Sequence, residues 1–302
     1  MKRPRISAGV FLALAGLLLS GCSQLTQSAI EINSAKTTAI TASKGSKYSR
    51  IVALANGSAE VISALGQKKF LIGRDIASTD KDLATIPIVT SGHQLIPEKI
   101  LNLKPDLVLI DASTGPSTAI EALKNSGIHI VKVSETWSIQ EIPAKVTEIA
   151  AVLDVREDGR HLSDLLSQNS SKISHPVRIA FLYLRGGSAI YLIGGKGSGA
   201  DSIIESIGGV DVGAQKLAHP FNSMTAEAMA KLNPDLILVM TQGLRSVGGV
   251  KGLVELPGVA QTTAGKYKRV VAVDDSLLLS FGPRTSDLQK QLVTAVNTVE
   301  KK

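Results

Sequence analysis

The sequence contains one internal repeat, and this repeat constrains the fold more than any other feature. Residues 96–110 (IPEKILNLKPDLVLI) are matched by residues 225–239 (TAEAMAKLNPDLILV) at a constant offset of 129 residues. Each copy reads as a short helix, a Pro-Asp turn and a strand, because Pro ends a helix and the branched aliphatic run behind it suits a buried parallel sheet. We therefore predict two lobes of similar construction.

Strand and helix patterns alternate in both halves of the chain. Further strands are predicted at residues 51–55, 70–73, 128–133, 178–184, 189–193 and 269–273. Helices are predicted at residues 58–65, 119–126, 200–207 and 285–299. This alternation predicts an α/β protein with a mostly parallel sheet in each lobe. Residues 138–153 and 156–172 read as helices between the lobes, and the second is polar enough to be a single long connecting helix.

The first 22 residues have the pattern of an export signal. Lys2, Arg3 and Arg5 precede an apolar stretch at residues 8–19, which is too short to span a bilayer of about 30 Å. A basic start, a short apolar stretch and small residues are typical of a secretory signal peptide. The segment Leu-Ser-Gly-Cys that ends at Cys22 resembles the lipobox of bacterial lipoproteins. That resemblance implies that Cys22 is acylated and anchors the protein to the outer side of the cell membrane.

These patterns divide the chain into five segments. Residues after Cys22 are rich in Ser, Thr, Ala, Gln and Lys, a composition that favours a flexible tether. The predicted segments are a signal peptide at 1–21, a tether at 22–49, an N-terminal α/β lobe at 50–153, the connecting helix at 154–175 and a C-terminal α/β lobe at 176–302.

Composition and motifs exclude several classes of function. The 302 residues include one cysteine, which excludes a disulfide framework and multi-cysteine metal clusters. The net charge is +7, but no Lys/Arg run is interleaved with aromatic residues, so we expect no nucleic-acid partner. The glycine-rich residues 194–199 lack the Gly-Lys-Ser/Thr order of a phosphate-binding loop. There is no Gly-x-Ser-x-Gly motif, and we expect a binding protein rather than an enzyme.

A lipid-anchored pair of similar α/β lobes resembles the helical-backbone class of substrate-binding proteins of ABC importers. The motifs that carry this resemblance span nearly all of the mature chain; they include residues 52–54 (VAL), 58–60 (SAE), both Pro-Asp-Leu segments, 197–201 (GSGAD), 207–210 (IGGV) and 281–285 (FGPRT). Together they look most like the haem-binding branch. The resemblance implies that the protein captures hemin (haem b) between its lobes and delivers it to an ABC permease dimer. An iron–siderophore or cobalamin binding protein of the same fold is the alternative.

The predicted ligand site is the cleft between the lobes, because ligands of open α/β sheets bind beyond the carboxyl ends of the strands. Residues 90–94 (TSGHQ) should line this cleft, and the imidazole of His93 can bind haem iron axially. The resemblance implies a second axial ligand from the opposite lobe, at Tyr191. We expect Arg185 to stabilise its phenolate, His219 to be the reserve ligand, and Tyr183 to be a core residue.

Other candidates would bind the rest of the haem. Arg284 and Lys196 could pair with the propionates, and Phe221 and Phe281 could supply apolar wall. A surface charge for each cation and a core position for each aromatic ring are the alternatives.

Two glutamates occupy equivalent positions in the repeat. The substrate-binding class uses one surface glutamate per lobe to dock onto permease arginines, and the resemblance places these roles on Glu98 and Glu227. Both lie in the predicted first turn of a helix, where a carboxylate also complements the positive helix end. Helix capping alone is therefore the alternative role.

Overall fold

The structure is a computed structural model that describes residues 28–92, 94–168 and 171–301. In these residues the strands are β1 (Ile30–Ile32), β2 (Ile51–Ala53), β3 (Leu71–Arg74), β4 (Thr90–Ser91), β5 (Gln94–Leu95), β6 (Leu107–Ile110), β7 (Ile130–Lys132), β8 (Arg178–Arg185), β9 (Ile190–Gly194), β10 (Val210–Asp211), β11 (Phe221–Ser223), β12 (Leu236–Met240) and β13 (Val270–Val273).

Most of the helices alternate with these strands. In the described ranges they are α1 (Ser58–Ala64), α2 (Pro97–Asn102), α3 (Ser117–Asn125), α4 (Ile142–Val152), α5 (Arg156–Ser167), α6 (Ala200–Ser206), α7 (Val212–Lys216), α8 (Ala226–Leu232), α9 (Thr241–Ser246), α10 (Gly249–Glu255), α11 (Thr263–Lys266), α12 (Asp275–Leu279) and α13 (Thr285–Glu300).

The N-terminal lobe is built on a parallel sheet with the strand order β3-β2-β6-β7. The central strands β2 and β6 are buried along their whole length, as their aliphatic sequences predict. The short antiparallel hairpin β4–β5 lies next to this sheet, and the amide of Ile76, just after β3, donates to the hydroxyl of Thr90.

The C-terminal lobe has a mixed sheet with the order β1-β13-β12-β8-β9-β11, and β10 also pairs with β8. The strands β8, β12 and β13 are parallel to one another, whereas β9 runs antiparallel to both of its neighbours, β8 and β11. One hydrophobic core packs on each face of this sheet. The larger core continues into the N-terminal lobe, and the smaller one is built mainly from the C-terminal lobe.

The internal repeat is present in three dimensions. In the first copy the carboxylate of Asp106 accepts a hydrogen bond from the amide of Arg50, whose guanidinium donates to the carbonyl of Leu103. In the second copy Asp235 accepts from the amide of Arg178, whose guanidinium donates to the carbonyl of Leu232. Each Pro-Asp turn thus joins the end of its helix to the start of the neighbouring strand, and the prediction of two similar lobes is confirmed.

The segment before the first lobe differs from the predicted flexible tether. Strand β1 lies on the edge of the C-terminal sheet, where Ile32 pairs with Val273 and is only 4% exposed. The chain then crosses to the other lobe, where the amide of Ile40 donates to the carbonyl of Ala64. Residues 30–49 are called the N-terminal strap below. The tether prediction is wrong for these residues because the isoleucines bury apolar area that the polar composition around them obscures.

The connector between the lobes is a pair of packed helices. Helices α4 and α5 approach so closely that a Cβ on Gly159 would lie 2.3 Å from the Cβ of Ala150, so glycine is required at this crossing. Helix α5 ends at Ser167, earlier than the predicted residue 172. Its Asp158 is buried and accepts hydrogen bonds from the amide of Ser43 in the strap.

Candidate ligand site between the lobes

The two lobes meet near the carboxyl ends of their central strands. Asn56, three residues after β2, donates its side-chain amide to the carbonyl of Leu279 at 2.9 Å. The hydroxyls of Thr79 and Ser276 contact each other across the same junction. Because residues 56 and 79 belong to one lobe and residues 276 and 279 to the other, this junction forms the floor of the predicted cleft.

Tyr183 and Arg185 form a cluster on the C-terminal side of this cleft. They lie two residues apart on β8, and alternate residues of a strand point to the same face of a sheet. The guanidinium carbon of Arg185 lies 4.5 Å from the centre of the Tyr183 ring. The exposed ring of Phe221 meets Tyr183 edge-on, with 5.7 Å between the ring centres. The cluster therefore combines a phenol, a cation and an apolar face.

Tyr191 lies on the opposite face of the sheet from this cluster. In the register of β8 and β9, Tyr183 pairs with Leu192, and Tyr191 pairs with Leu184. Tyr183 packs against the large core shared by both lobes, whereas Tyr191 packs against the smaller core of the C-terminal lobe. The structure thus separates Tyr191 from Arg185, its predicted partner, and brings Tyr183 to Arg185 instead.

Tyr183 is the residue that sequence reasoning missed. The available signal was the end of β8, where Tyr183 and Arg185 interrupt an apolar strand with a period of two. A strand with both faces buried has no reason to carry this pair.

Asp275 holds Arg185 in position through an ion pair. Its carboxylate lies 3.5 Å from the Arg185 guanidinium and accepts a hydrogen bond of 3.0 Å from the amide of Gln242. Asp275 begins α12, so the cation of the cluster is tied to the first residue of that helix.

Two predicted pocket residues are in the interior instead. Arg284 is 6% exposed and makes an ion pair of 3.1 Å with Glu60, so its charge is already neutralised. Phe281 is fully buried and lies against Gly199, which has a φ of +86° and no room for a side chain. The predicted propionate contact of Arg284 and the wall position of Phe281 are wrong, because Arg284 is paired with Glu60 of the other lobe and the Phe281 ring is buried against Gly199 of its own lobe.

The hairpin β4–β5 carries the next candidate. His93 falls outside the described residues, but its neighbours Ser91 and Gln94 pair in the hairpin β4–β5. The hairpin adjoins the carboxyl ends of β3 and β6, since the amide of Val89 donates to Arg74 and that of Leu95 to Gly115.

Lys196 and His219 lie near one another in the C-terminal lobe. Lys196 is exposed two residues after β9. The carbonyl of His219, the reserve ligand, accepts a hydrogen bond from Asn222 on β11.

Several ionisable side chains are buried at the floor of the cleft. Burial raises the pKa of Asp75 to about 6, and the nearby carboxylate of Glu60 adds to this increase. Burial lowers the pKa of Lys145 to about 8, against the opposing effect of Glu60, Asp111 and Asp75. The ammonium group of Lys145 donates to the carbonyls of Ser280 and Phe281 at 2.9 and 3.2 Å. These charges hold the lobes together below the ligand cluster.

Glu98 and Glu227 are in equivalent places. Each is the second residue of its helix, in α2 and α8 respectively, and each is exposed. Each helix precedes a central strand of its own lobe. The repeat thus presents one carboxylate from each lobe to solvent.

The match to a known family decides the class of the protein. Residues 51–277, which include both lobes, match the model of the periplasmic binding protein family. The chain belongs to this family. The binding protein thereby has the predicted fold class, and the prediction of a transport binding protein rather than an enzyme is confirmed.

Solved structures of haem-binding proteins are similar to the binding protein. The periplasmic heme-binding protein RhuT from Roseiflexus sp. RS-1 is 30% identical, with a TM-score of 0.75 over 83% of this chain and 98% of RhuT. The heme-binding protein HmuT is 33% identical, with a TM-score of 0.74 over 90% of this chain and 94% of HmuT. HmuT has also been solved with a histidine, a tyrosine or an arginine replaced by alanine, and the arginine follows the tyrosine by two positions.

A curated relative is described as a substrate-binding protein of an ABC transporter. The ABC transporter substrate-binding lipoprotein YvrC of Bacillus subtilis is 27% identical over 314 residues, which cover 96% of either chain. Within residues 28–92, 94–168 and 171–301 of the binding protein, no helix has the length and apolar character needed to cross a bilayer.

Proposed function

We propose that the binding protein captures hemin in the cleft between its lobes and delivers it to an ABC importer. The observation that carries this proposal is the cluster of Tyr183, Arg185 and Phe221 on the cleft side of the C-terminal sheet. A phenolate is a known ligand of haem iron, and an aromatic face suits a flat macrocycle. The similarity to RhuT and HmuT supports the same ligand.

In this proposal each side chain of the cluster has one task. The Tyr183 phenolate binds ferric iron, and the guanidinium of Arg185 stabilises that negative charge at the ring. Phe221 packs on the porphyrin, while Lys196 remains a candidate for a propionate. Tyr183 and Arg185 have the same two-residue spacing as the tyrosine and arginine that were replaced in HmuT.

His93 is the proposed second axial ligand, from the N-terminal lobe. The hairpin β4–β5 on either side of it adjoins the carboxyl ends of the N-terminal strands, which form the opposite side of the cleft. One ligand from each lobe would hold the iron between them, as one neutral imidazole and one phenolate.

The test is a hemin titration followed by absorption in the Soret region. We expect Tyr183→Phe to remove the tyrosinate bands and weaken binding at least tenfold, and His93→Ala to change the spectrum separately. Tyr191→Phe is the matched control, because it removes the same hydroxyl from the other face of the same sheet, and it should bind like the wild type. If Tyr191→Phe loses the tyrosinate bands and Tyr183→Phe keeps them, Tyr191 is the iron ligand.

The same titration tests the ligand class. Binding of a ferric siderophore or of cobalamin, together with no Soret change on adding hemin, would overturn the proposal in favour of another cargo of this fold.

Delivery requires an anchor and a docking surface. We propose that Cys22, outside the described residues, carries the lipid anchor, as the description of YvrC as a lipoprotein supports. Glu98 and Glu227 are the proposed contacts with the permease dimer, one from each lobe.

A further inference from the structure

An ion pair between Glu60 and Arg284 joins the two lobes in the interior of the protein, and Asp80 of the N-terminal lobe lies 3.8 Å from the same guanidinium. Glu60 on α1 belongs to the N-terminal lobe, and Arg284, immediately before α13, belongs to the C-terminal lobe. Their side chains are 1% and 7% exposed, and the Arg284 guanidinium lies 3.1 Å from the carboxylate of Glu60. A buried ion pair is expensive to desolvate, and removing one partner leaves the other as an uncompensated buried charge.

The surroundings of this pair are polar and come from several elements. Glu60 also accepts from the hydroxyl of Ser78 at 3.1 Å, and the guanidinium donates to the hydroxyl of Ser276 at 3.3 Å. The other charged groups that face the pair are Arg74, Asp75, Asp80, Asp111 and Lys145. With Glu60 and Arg284 they amount to three cations and four carboxylates.

The pair is linked to the ligand cluster through α12. Ser276, which accepts from Arg284, is the neighbour of Asp275, and Asp275 contacts Arg185 above the Tyr183 ring. A continuous series of contacts therefore connects α1 in one lobe to Tyr183 in the other. Contiguous polar networks of this kind can couple two sites.

The lobes also approach each other very closely at this point. A Cβ added to Gly57, at the start of α1, would lie 2.5 Å from the carbonyl oxygen of Ser280 and 2.8 Å from the Lys145 nitrogen. The lobes are therefore in direct contact at Gly57, and a larger side chain there must displace one lobe relative to the other.

We propose that Glu60 and Arg284 form an interlobe latch that holds α12, and with it Asp275 and Arg185, in position at Tyr183. Separation of the lobes breaks the latch, removes the cation from the tyrosine ring and releases the cargo. The effect of the latch on cargo at Tyr183 rests on the proposed function, whereas its role in holding the two lobes together does not. Glu60 and Arg284 are thus positioning residues that never touch the cargo.

The first test measures the distance between the lobes. Spin labels are placed in the full chain carrying Cys22→Ser, at Lys99→Cys on α2 and Lys231→Cys on α8, both exposed. We expect Arg284→Met to broaden the distance distribution, and Gly57→Ala to shift it with every charge retained. The control is Asp154→Asn, which breaks an exposed ion pair with Lys44 and should leave the distribution unchanged.

A second variant covers the case that Arg284→Met does not fold, since it leaves Glu60 charged and buried. Glu60→Leu combined with Arg284→Met removes both charges, an exchange that folded proteins often tolerate. We expect this double variant to fold and to show the broad distribution. A distribution as narrow as that of the wild type would overturn the latch.

The second test measures hemin release to excess apomyoglobin. We expect release from the double variant to be about five-fold faster or more, the usual range for a coupling between two sites, and release from Asp154→Asn to be unchanged. Equal release rates in all variants would overturn the link to Tyr183. If the wild type binds no hemin, the proposed function fails, and the distance measurement still decides whether the latch exists.

Discussion

At the scale of single residues, Asp75 should give the protein an unusual dependence of stability on pH. One hydroxyl proton, on Ser78, faces the carboxylates of both Asp75 and Glu60. Burial raises the pKa of Asp75 to about 6, and in its protonated form Asp75 can donate to Ser78 while Ser78 donates to Glu60. The proton is therefore bound more tightly in the folded state than in the unfolded state.

The sign of the effect follows from this preference. The raised pKa of Asp75 contributes stability that is fully present below about pH 4 and is lost as the pH rises to about 6, by on the order of 3 kcal/mol at most. We expect Asp75→Asn, which keeps a donor toward Ser78, to unfold at a higher temperature than the wild type at pH 7.5 and to lose the advantage at pH 4. Thermal unfolding followed by circular dichroism measures both.

Asp106 is the matched control for this experiment. Partial burial would raise its pKa, but hydrogen bonds from Ser49 and Arg50 outweigh that effect and lower it. Its contribution is therefore present above about pH 4 and lost in acid, so Asp106→Asn should lower the unfolding temperature at pH 7.5. The same direction of change in both variants would contradict the assignment for Asp75.

At the scale of elements, the repeat predicted the two lobes because its signals are local. A Pro-Asp turn ends a helix wherever it occurs, and an aliphatic run such as β6 or β12 is buried on both faces in any parallel sheet. The N-terminal strap was not predictable in this way. Strand β1 has three residues, and its partner β13 lies about 240 residues along the chain.

The sequence predicts a candidate site at the carboxyl ends of the strands, and the structure brings Tyr183 rather than Tyr191 to Arg185 there. The carboxyl ends of the strands follow from topology, whereas the face on which a tyrosine lies depends on the register of β8 and β9. Tyr183 and Tyr191 are both flanked by aliphatic residues, so composition does not distinguish them. Arg284 was misassigned because its partner, Glu60, is 224 residues distant in sequence.

The strap should contribute to the stability of the whole fold. Ile32 is buried in the core shared by both lobes, and Ile32→Ala should destabilise the protein by about 2–4 kcal/mol, from lost apolar contacts and the cavity that remains. Glu31→Ala, on the exposed side of the same strand, should cost at most about 0.5 kcal/mol. Urea unfolding curves give both values, and equal values would show that the strap is not part of the core.

At the scale of the whole molecule, several connections limit the relative motion of the lobes. Besides the hydrogen bonds at the floor of the cleft, they include the helix pair α4–α5, the strap, which hydrogen-bonds to Pro283 and Ala64, and the latch of Glu60 and Arg284. While the latch is closed, a protein held in this way presents Glu98 and Glu227 at one separation. In the proposed function, one carboxylate from each lobe suits a partner that offers two equivalent contact sites.

Charge reversal at both positions tests that arrangement. We expect Glu98→Lys combined with Glu227→Lys to abolish hemin transport into proteoliposomes that contain the permease, because each attraction to a basic residue of the permease becomes a repulsion between like charges. Hemin affinity should be unchanged, since both helices start at the surface outside the Tyr183 cluster. Each single reversal should retain part of the transport.

The control must change the same charge without touching the docking helices. Glu121→Lys on α3 and Glu255→Lys on α10 provide it, with one exposed glutamate reversed in each lobe. If this pair reduces transport as strongly as the first, the permease reads the net charge of the binding protein. If only the first pair does so, transport depends on the carboxylates of Glu98 and Glu227 themselves, which is the result that two equivalent contacts built by the repeat require.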